Sequence, residues 1–361
     1  MNADCLKLTS YFGERSRVGG AFVADALLDL YGRSGVAVSI LLRGTEGFGA
    51  RQHLRTDSSL TLSEDLPLVA VAVDARPLID AVLGPTLQLN SPGLVTLERA
   101  ILLDSADGAT HSRGGADLGD ASKLTVYVGR QERAYRTPAF VAVCDLLYRR
   151  GIAGATALLG VDGTSRGVRQ RARFFGRNAD VPMMVIAVGS EERIQRVIPE
   201  LGGLLENPLL TLERISVCKR DGQRLAAPAT IAGTDEHGME LWQKLMIYTS
   251  ETAQYQGQSI HRTITRRLRT AGISGVTTVR GVWGFHGDHP PHGDRVLSAA
   301  RRVPAVTIVI DSPERIAAAF AIVDELTAER GLVTAETVPA IRTAPDPRPW
   351  KGRAPRASPG W

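Results

Sequence analysis

The chain repeats itself three times, and that repetition limits its fold more than any other feature. Lys7-Leu8, Lys123-Leu124 and Lys244-Leu245 each open a short apolar run, and 28 residues beyond each lysine stand Gly35, Gly151 and Gly272. Nine residues further come Gly44, Gly160 and Gly281, and then, after 23, 22 and 23 residues, Pro67, Pro182 and Pro304. Near the end of each copy lie Thr96-Leu97-Glu98-Arg99, Thr211-Leu212-Glu213-Arg214 and the looser Thr334-Ala335-Glu336. Spacings held in register over this many positions mean three structural units of one kind.

The same register carries the secondary structure. Before the first glycine, Val23/Leu27/Tyr31, Ala139/Val143/Leu147 and Ile260/Ile264/Leu268 form one stripe of a helix at i, i+4 and i+8. Gly35, Gly151 and Gly272 follow as left-handed helix stops. After the proline, Val69/Val71/Val73, Met184/Ile186/Val188 and Val306/Ile308/Ile310 alternate with period two, as a half-buried strand does. A second helix follows, clearest from Pro313 to Arg330. The expectation is an α+β chain of three tandem ferredoxin-like βαββαβ domains, each an antiparallel four-stranded sheet with two helices on one face. Their bounds are 1–110, 120–222 and 240–342, joined by linkers over Asp104–Ser122 and Arg220–Gly238.

A chain of 361 residues suits two or three domains, and 43% hydrophobic with 22% charged residues is ordinary for a globular protein. No run approaches the roughly 18 apolar residues of a membrane span. Met1 to Thr9 has no signal-peptide pattern, so a cytoplasmic protein is expected. Cys5, Cys144 and Cys218 lack metal or disulfide spacing and read as buried small residues. Of the net charge of +5, the segment 343–361, rich in proline and arginine, holds +3 and reads as a flexible tail.

Between the second and third strands a loop from Arg43 to Leu66 is far longer than a hairpin needs. Its base reads Arg43-Gly44-Thr45-Glu46-Gly47-Phe48-Gly49 in copy one and Arg280-Gly281-Val282-Trp283-Gly284-Phe285-His286 in copy three. Copy two, Leu159-Gly160-Val161-Asp162-Gly163-Thr164-Ser165, has lost the arginine and the aromatic. Dense glycines can turn backbone N–H groups toward one point as an anion nest, and the arginine can add a phosphate contact. The alternative, glycines that serve only a tight strand exit, stays open.

The Arg-Gly-x-x-Gly-Phe-Gly run, the loop closing in Leu62-Ser63-Glu64-Asp65-Leu66-Pro67 and the element order resemble the PII-like family of domain of unknown function 190. The resemblance implies relatives of the PII signalling proteins, trimers that bind adenine nucleotides in clefts between subunits and reshape the long loop against a transporter or enzyme. It implies a nucleotide site at Arg43, Gly44, Gly47, Phe48 and Gly49, and at Arg280, Gly281, Gly284 and Phe285. It further implies a non-enzymatic regulator with no cofactor beyond an adenine-nucleotide effector. Three joined copies would then close as a pseudo-trimer within one monomeric chain.

Other motifs carry less. His286-x-x-His289-x-x-His292, with Asp288 and Asp294, has metal-ligand residue types but stands in a proline-broken loop, and no metal site is assigned. Gly163-Thr164-Ser165-Arg166-Gly167 matches a nucleophile elbow without the helix that presents the serine, and no catalytic residue is assigned. The copy-two loop carries Arg166, Arg169, Arg171, Arg173 and Arg177 with Phe174 and Phe175, but no strand bears the aromatics of an RNA-binding sheet, so nucleic acid is not expected. Arg262, Arg266, Arg267 and Arg269 read as the solvated face of a helix.

Overall fold

The computed structural model describes residues 3–57, 65–103, 121–165, 167–169, 181–231, 233–235, 240–287, 290–293, 303–329 and 331–342. The tail 343–361, most of the first linker, and Arg166, Arg171, Arg173, Arg177, Phe174, Phe175, Asp288, His289 and Asp294 lie outside them. Copy one runs β1 (Ala3–Gly13), α1 (Val23–Arg33), β2 (Val38–Phe48), β3 (Pro67–Ala75), α2 (Arg76–Leu89) and β4 (Leu94–Leu103). Copy two runs β5 (Ala121–Gly129), α3 (Ala139–Arg149), β6 (Gly154–Leu159) with its continuation β7 (Asp162–Ser165), β8 (Pro182–Ser190), α4 (Glu191–Leu204) and β9 (Leu209–Arg220). Copy three runs β10 (Leu241–Ser250), α5 (Ile260–Thr270), β11 (Val276–His286), β12 (Pro304–Asp311), α6 (Pro313–Leu326) and β13 (Leu332–Arg342). Short two-residue strands pair beside these, among them His292–Gly293.

The first helix of each copy has 11 residues and the second 14. Gly35, Gly151 and Gly272 end the first helices at φ +71°, +67° and +78°, where a side chain would strain the backbone. Ala121 and Ser122, expected in a linker, begin β5 instead, because they pair with Ser190 and Gly189 of β8.

The expected fold class, α+β with three ferredoxin-like sheets, is corrected by the strand pairing. Among the described residues, the thirteen strands above and four two-residue strands form one 17-stranded sheet, accompanied by six helices. Following antiparallel partners from β1 through β3, β2, β11, β6, β8, β5, β9, β13 and β4 returns to β1, a closed barrel of ten strands. β12 and β10 make a second path between β11 and β13. The physical reason lies at the edges. A four-stranded sheet leaves two edges of unpaired N–H and C=O groups, and here each copy's edge strands pair with another copy's. Closure removes the edges, and periodicity within one copy cannot reveal a partner in another.

The apolar core follows this arrangement. One cluster draws on all three copies, among them Ile40, Val71, Met184, Ile186, Val306 and Ile308. Three further clusters lie under the helix pairs, one per copy.

Candidate functional site

The run expected at the base of the copy-one loop is a strand, not a loop. Arg43 to Phe48 complete β2, whose end pairs with β11, Gly47 opposite Thr277 and Phe48 opposite Val276. β11 pairs in turn with β6, Phe285 opposite Ala155, and β7 with β2, Gly163 opposite Ile40. In a strand, successive N–H groups point to opposite sides, so the glycines do not gather donors into a nest. They let backbones approach instead. A Cβ at Gly47 would stand 2.4 Å from the Val276 carbonyl oxygen, at Gly163 2.4 Å from that of Ser39, and at Gly284 2.3 Å from that of Ala155. Gly44 and Gly281 are similarly crowded, whereas among the described residues nothing lies within 4 Å of a Cβ at Gly49.

The aromatic of the run is a plug between copies. Phe48 is buried in the core of copy three, beside residues such as Leu245 and Ile264. Phe285 is buried in the core of copy two, its ring edge-on to Tyr148 at 5.3 Å. Copy two has Thr164 at this position, fully buried, its hydroxyl 2.8 Å from that of Ser39 in copy one. In the receiving copy a buried Tyr31 stands where the other copies have Leu147 and Leu268.

Both arginines of the run already hold a carboxylate. Arg43 makes a two-pronged pair with Glu14 at 3.0 Å, and Arg280 pairs with Glu251 at 2.5 Å, with Asp57 3.6 Å away. Copy two has exchanged both partners together, with Leu159 for the arginine and Arg130 for the glutamate. The helices behind the crossings differ in charge as well. Glu46, buried between copies one and three, lies 4.0 Å from Arg262 of α5, and burial raises its pKa against the pull of Thr265 and Arg262. At the crossing of copies two and one, Arg169 joins Asp162 at 2.7 Å to Asp25 and Asp29 of α1 at 2.6 and 2.7 Å. Arg169 is thus an interface residue between copies one and two. Arg267, by contrast, pairs at the surface with Glu325.

Six residues that mark the register of the repeat in sequence build a feature that their spacing alone does not announce. Lys7, Lys123 and Lys244 stand opposite Glu98, Glu213 and Glu336 on their own copies' fourth strands. All six are almost fully buried, and each lysine bridges its own glutamate and that of another copy. Lys7 lies 2.6 Å from Glu98 and 2.8 Å from Glu213, and Lys123 lies 2.8 Å from both Glu213 and Glu336. Lys244 closes the hexagon at 2.7 Å from Glu336 and 2.9 Å from Glu98. Burial alone would raise the carboxylates, but the lysines hold Glu98 well below and Glu336 below the ordinary range. Burial likewise depresses lysines, yet Glu213 and Glu98 keep Lys7 well above its usual value, while burial prevails at Lys123. The three carboxylates come near enough to share a metal ion, but three ammonium groups already neutralise them, so the ring is a junction of the three copies. A cavity of about 560 Å³ opens onto it, lined also by Asp4, Arg99 and Arg214. The signal available in the sequence was a lysine and a glutamate at matched places within apolar strands of every copy.

A second cavity, about 350 Å³, lies in copy three where β11 ends. Thr249, Ser250, Thr252, Ile260, His286 and His292 are among its walls, so the glycine-rich run of copy three leads to it although Arg280 does not line it. Ser165, the serine of the elbow-like motif, lies in β7 opposite Val38, a strand that presents no nucleophile at a helix start. Cys5, Cys144 and Cys218 are free and buried. Among the described residues, no helix is long and apolar enough to cross a membrane.

The family model described as Uncharacterized ACR, COG1993 (DUF190), matches the chain three times, over residues 5–102, 121–217 and 242–340. Among solved structures, the chain is similar to aspartate kinase from Synechocystis, at 12% identity and a TM-score of 0.22, over 93% of this chain and 43% of that one. The chain therefore spans less than half the length of that kinase.

Proposed function

Since the chain belongs to the DUF190 family, whose model matches each of its three copies, we propose that it is a non-enzymatic regulatory protein that binds a phosphate-bearing small ligand, of the adenine-nucleotide class, at a loop base. The ligand orders the long loop, and the loop acts on a protein target such as a membrane transporter or an enzyme. The observation that carries this reading is the copy-three cavity of about 350 Å³ at the end of the Arg280–His286 run. Its volume falls in the range of small-molecule sites, and it offers hydroxyls and imidazoles among apolar walls. Arg280 is tied to Glu251, which lies between the wall residues Ser250 and Thr252. A phosphate reaching Arg280 would compete with Glu251, so ligand binding and movement of the Ser250–Thr252 segment are coupled.

Calorimetric titration with adenine nucleotides tests this. Binding is expected, weakened about tenfold or more by Arg280→Ala, since a hydrogen bond to a charged group contributes about 1.5–3 kcal/mol. Glu251→Gln, which removes the competitor, should tighten it. Absence of binding at millimolar nucleotide would overturn the reading. The satisfied pairs Arg43–Glu14 and Arg280–Glu251 favour a second reading, a ligand-independent protein-interaction module. Target affinity that is equal with and without nucleotide would select it.

A further inference from the structure

The copy-three cavity carries a second chemistry, independent of any phosphate. β11 pairs with the short strand His292–Gly293, so that Gly284 stands opposite His292 and Trp283 opposite Gly293. His286 lies two residues beyond Gly284, on the same face of the hairpin by strand alternation. Residues in this diagonal relation have Cα atoms roughly 7–8 Å apart, within reach of long side chains. Gly284 puts no side chain opposite His292, and both imidazoles line the same cavity.

Three details favour a metal ion there. His292 Nδ1 lies 3.0 Å from the Pro290 carbonyl oxygen. A carbonyl only accepts, so Nδ1 carries the proton and the lone pair resides on Nε2. A backbone carbonyl on the far ring nitrogen is the usual support of a metal-bound imidazole. Next, the Thr249 hydroxyl, on a residue only 3% exposed, lines the cavity without a hydrogen-bond partner among the described residues. It is placed to receive a hydrogen bond from water on a bound ion. Finally, the lining supplies two histidines, and imidazole ligands suit zinc, nickel and copper.

We propose that His286 and His292 bind one imidazole-preferring divalent transition-metal ion, with its remaining coordination positions open to water or to a small ligand in the cavity. The site differs from the Glu98/Glu213/Glu336 ring, whose carboxylates are neutralised by lysine.

The test uses the full chain, stripped with a chelator and dialysed. Zinc is titrated calorimetrically, and cobalt by its visible absorption. One ion per chain is expected, with nitrogen-dominated cobalt bands. His286→Ala and His292→Ala should each weaken binding at least about tenfold, and His53→Ala, in copy one, should leave it unchanged. Thermal unfolding of the metal-free variants checks that they fold, and His292→Asn serves as a milder replacement if the alanine variant does not. Thr249→Val should lower affinity by a smaller factor, through loss of the water contact. No zinc binding at millimolar ion, or undiminished binding in the folded double variant of His286 and His292, would overturn the proposal. Neither result bears on nucleotide affinity, which is measured without metal.

Discussion

Lys7 illustrates how a residue ordinary in sequence becomes decisive through its partners. It meets carboxylates of copy one and copy two at 2.6 and 2.8 Å, its own side chain and theirs almost fully buried. Removing one member of such a network strands buried charge, so Lys7→Met should cost about 3–5 kcal/mol. That cost would appear as a lower urea midpoint at unchanged slope. Pairing it with Glu98→Gln or Glu213→Gln, one at a time, should recover part of the loss, because two ammonium groups then again face two carboxylates. His261 gives the clearest pH signature. Burial, then Arg262 and Arg280, lower its pKa from 6.5 to about 4, so it stays neutral in the folded chain where the unfolded chain would protonate it. Between those values the unfolded state binds more protons, and stability falls as pH drops from 6.5 toward 4, by roughly 2–3 kcal/mol in all. In His261→Asn this slope should vanish from urea midpoints measured across that window. The ring carboxylates act at lower pH, since Glu98 and Glu336, held down by lysines, keep their contribution above the ordinary carboxylate range and lose it on protonation below.

At the scale of single elements, β2 and β11 show what pattern alone conveys. Helices ending at Gly35, Gly151 and Gly272, and strands opening at Pro67, Pro182 and Pro304, were legible because local geometry demands those residues. The strand character of Gly44–Phe48 was not, because the long strand it pairs with, Val276–Val279 of β11, stands in another copy. Glycines needed for backbone approach look in sequence like glycines of a turn, and only the Ala155, Ser39 and Val276 carbonyls across the crossings tell them apart. The charge exchange Arg43/Leu159/Arg280 against Glu14/Arg130/Glu251 was readable in the sequence as paired change, had the two positions been known to touch. Neighbouring glycines of one motif should therefore differ in what they tolerate. Gly47→Ala and Gly284→Ala should each lower the thermal midpoint markedly, with Cβ contacts of 2.4 and 2.3 Å to backbone, whereas Gly49→Ala, which meets nothing among the described residues, should leave it near the parent value. Equal effects at Gly47 and Gly49 would return the glycines to a turn role.

For the whole molecule, the decisive property is that no copy completes itself. Copy one gives Phe48 to the core of copy three, copy three gives Phe285 to that of copy two, and copy two sets Thr164 against copy one. The strand pairings and the Lys–Glu hexagon run round the same three partners, so the surfaces that would join separate chains are used within this one. A stable solution species of one chain is therefore expected, and light scattering that reports a chain trimer would contradict it. The three crossings have also diverged, with Glu46 against an arginine-bearing α5, Arg169 against an aspartate-bearing α1, and Trp283 packed among apolar residues of copy two. Such differences penalise the wrong pairing of copies, since Glu46 would meet Asp25 and Asp29 if it were placed on α1. Closure further implies that damage in one copy is felt in another. Phe48→Ala leaves a cavity in the core of copy three and should cost about 3–5 kcal/mol. Its effect on amide hydrogen exchange should be largest not around residue 48 but in α5 and α6, the helices that cover the plugged core. Loss of protection confined to copy one would show that the copies fold as separate units, despite the sheet that joins them.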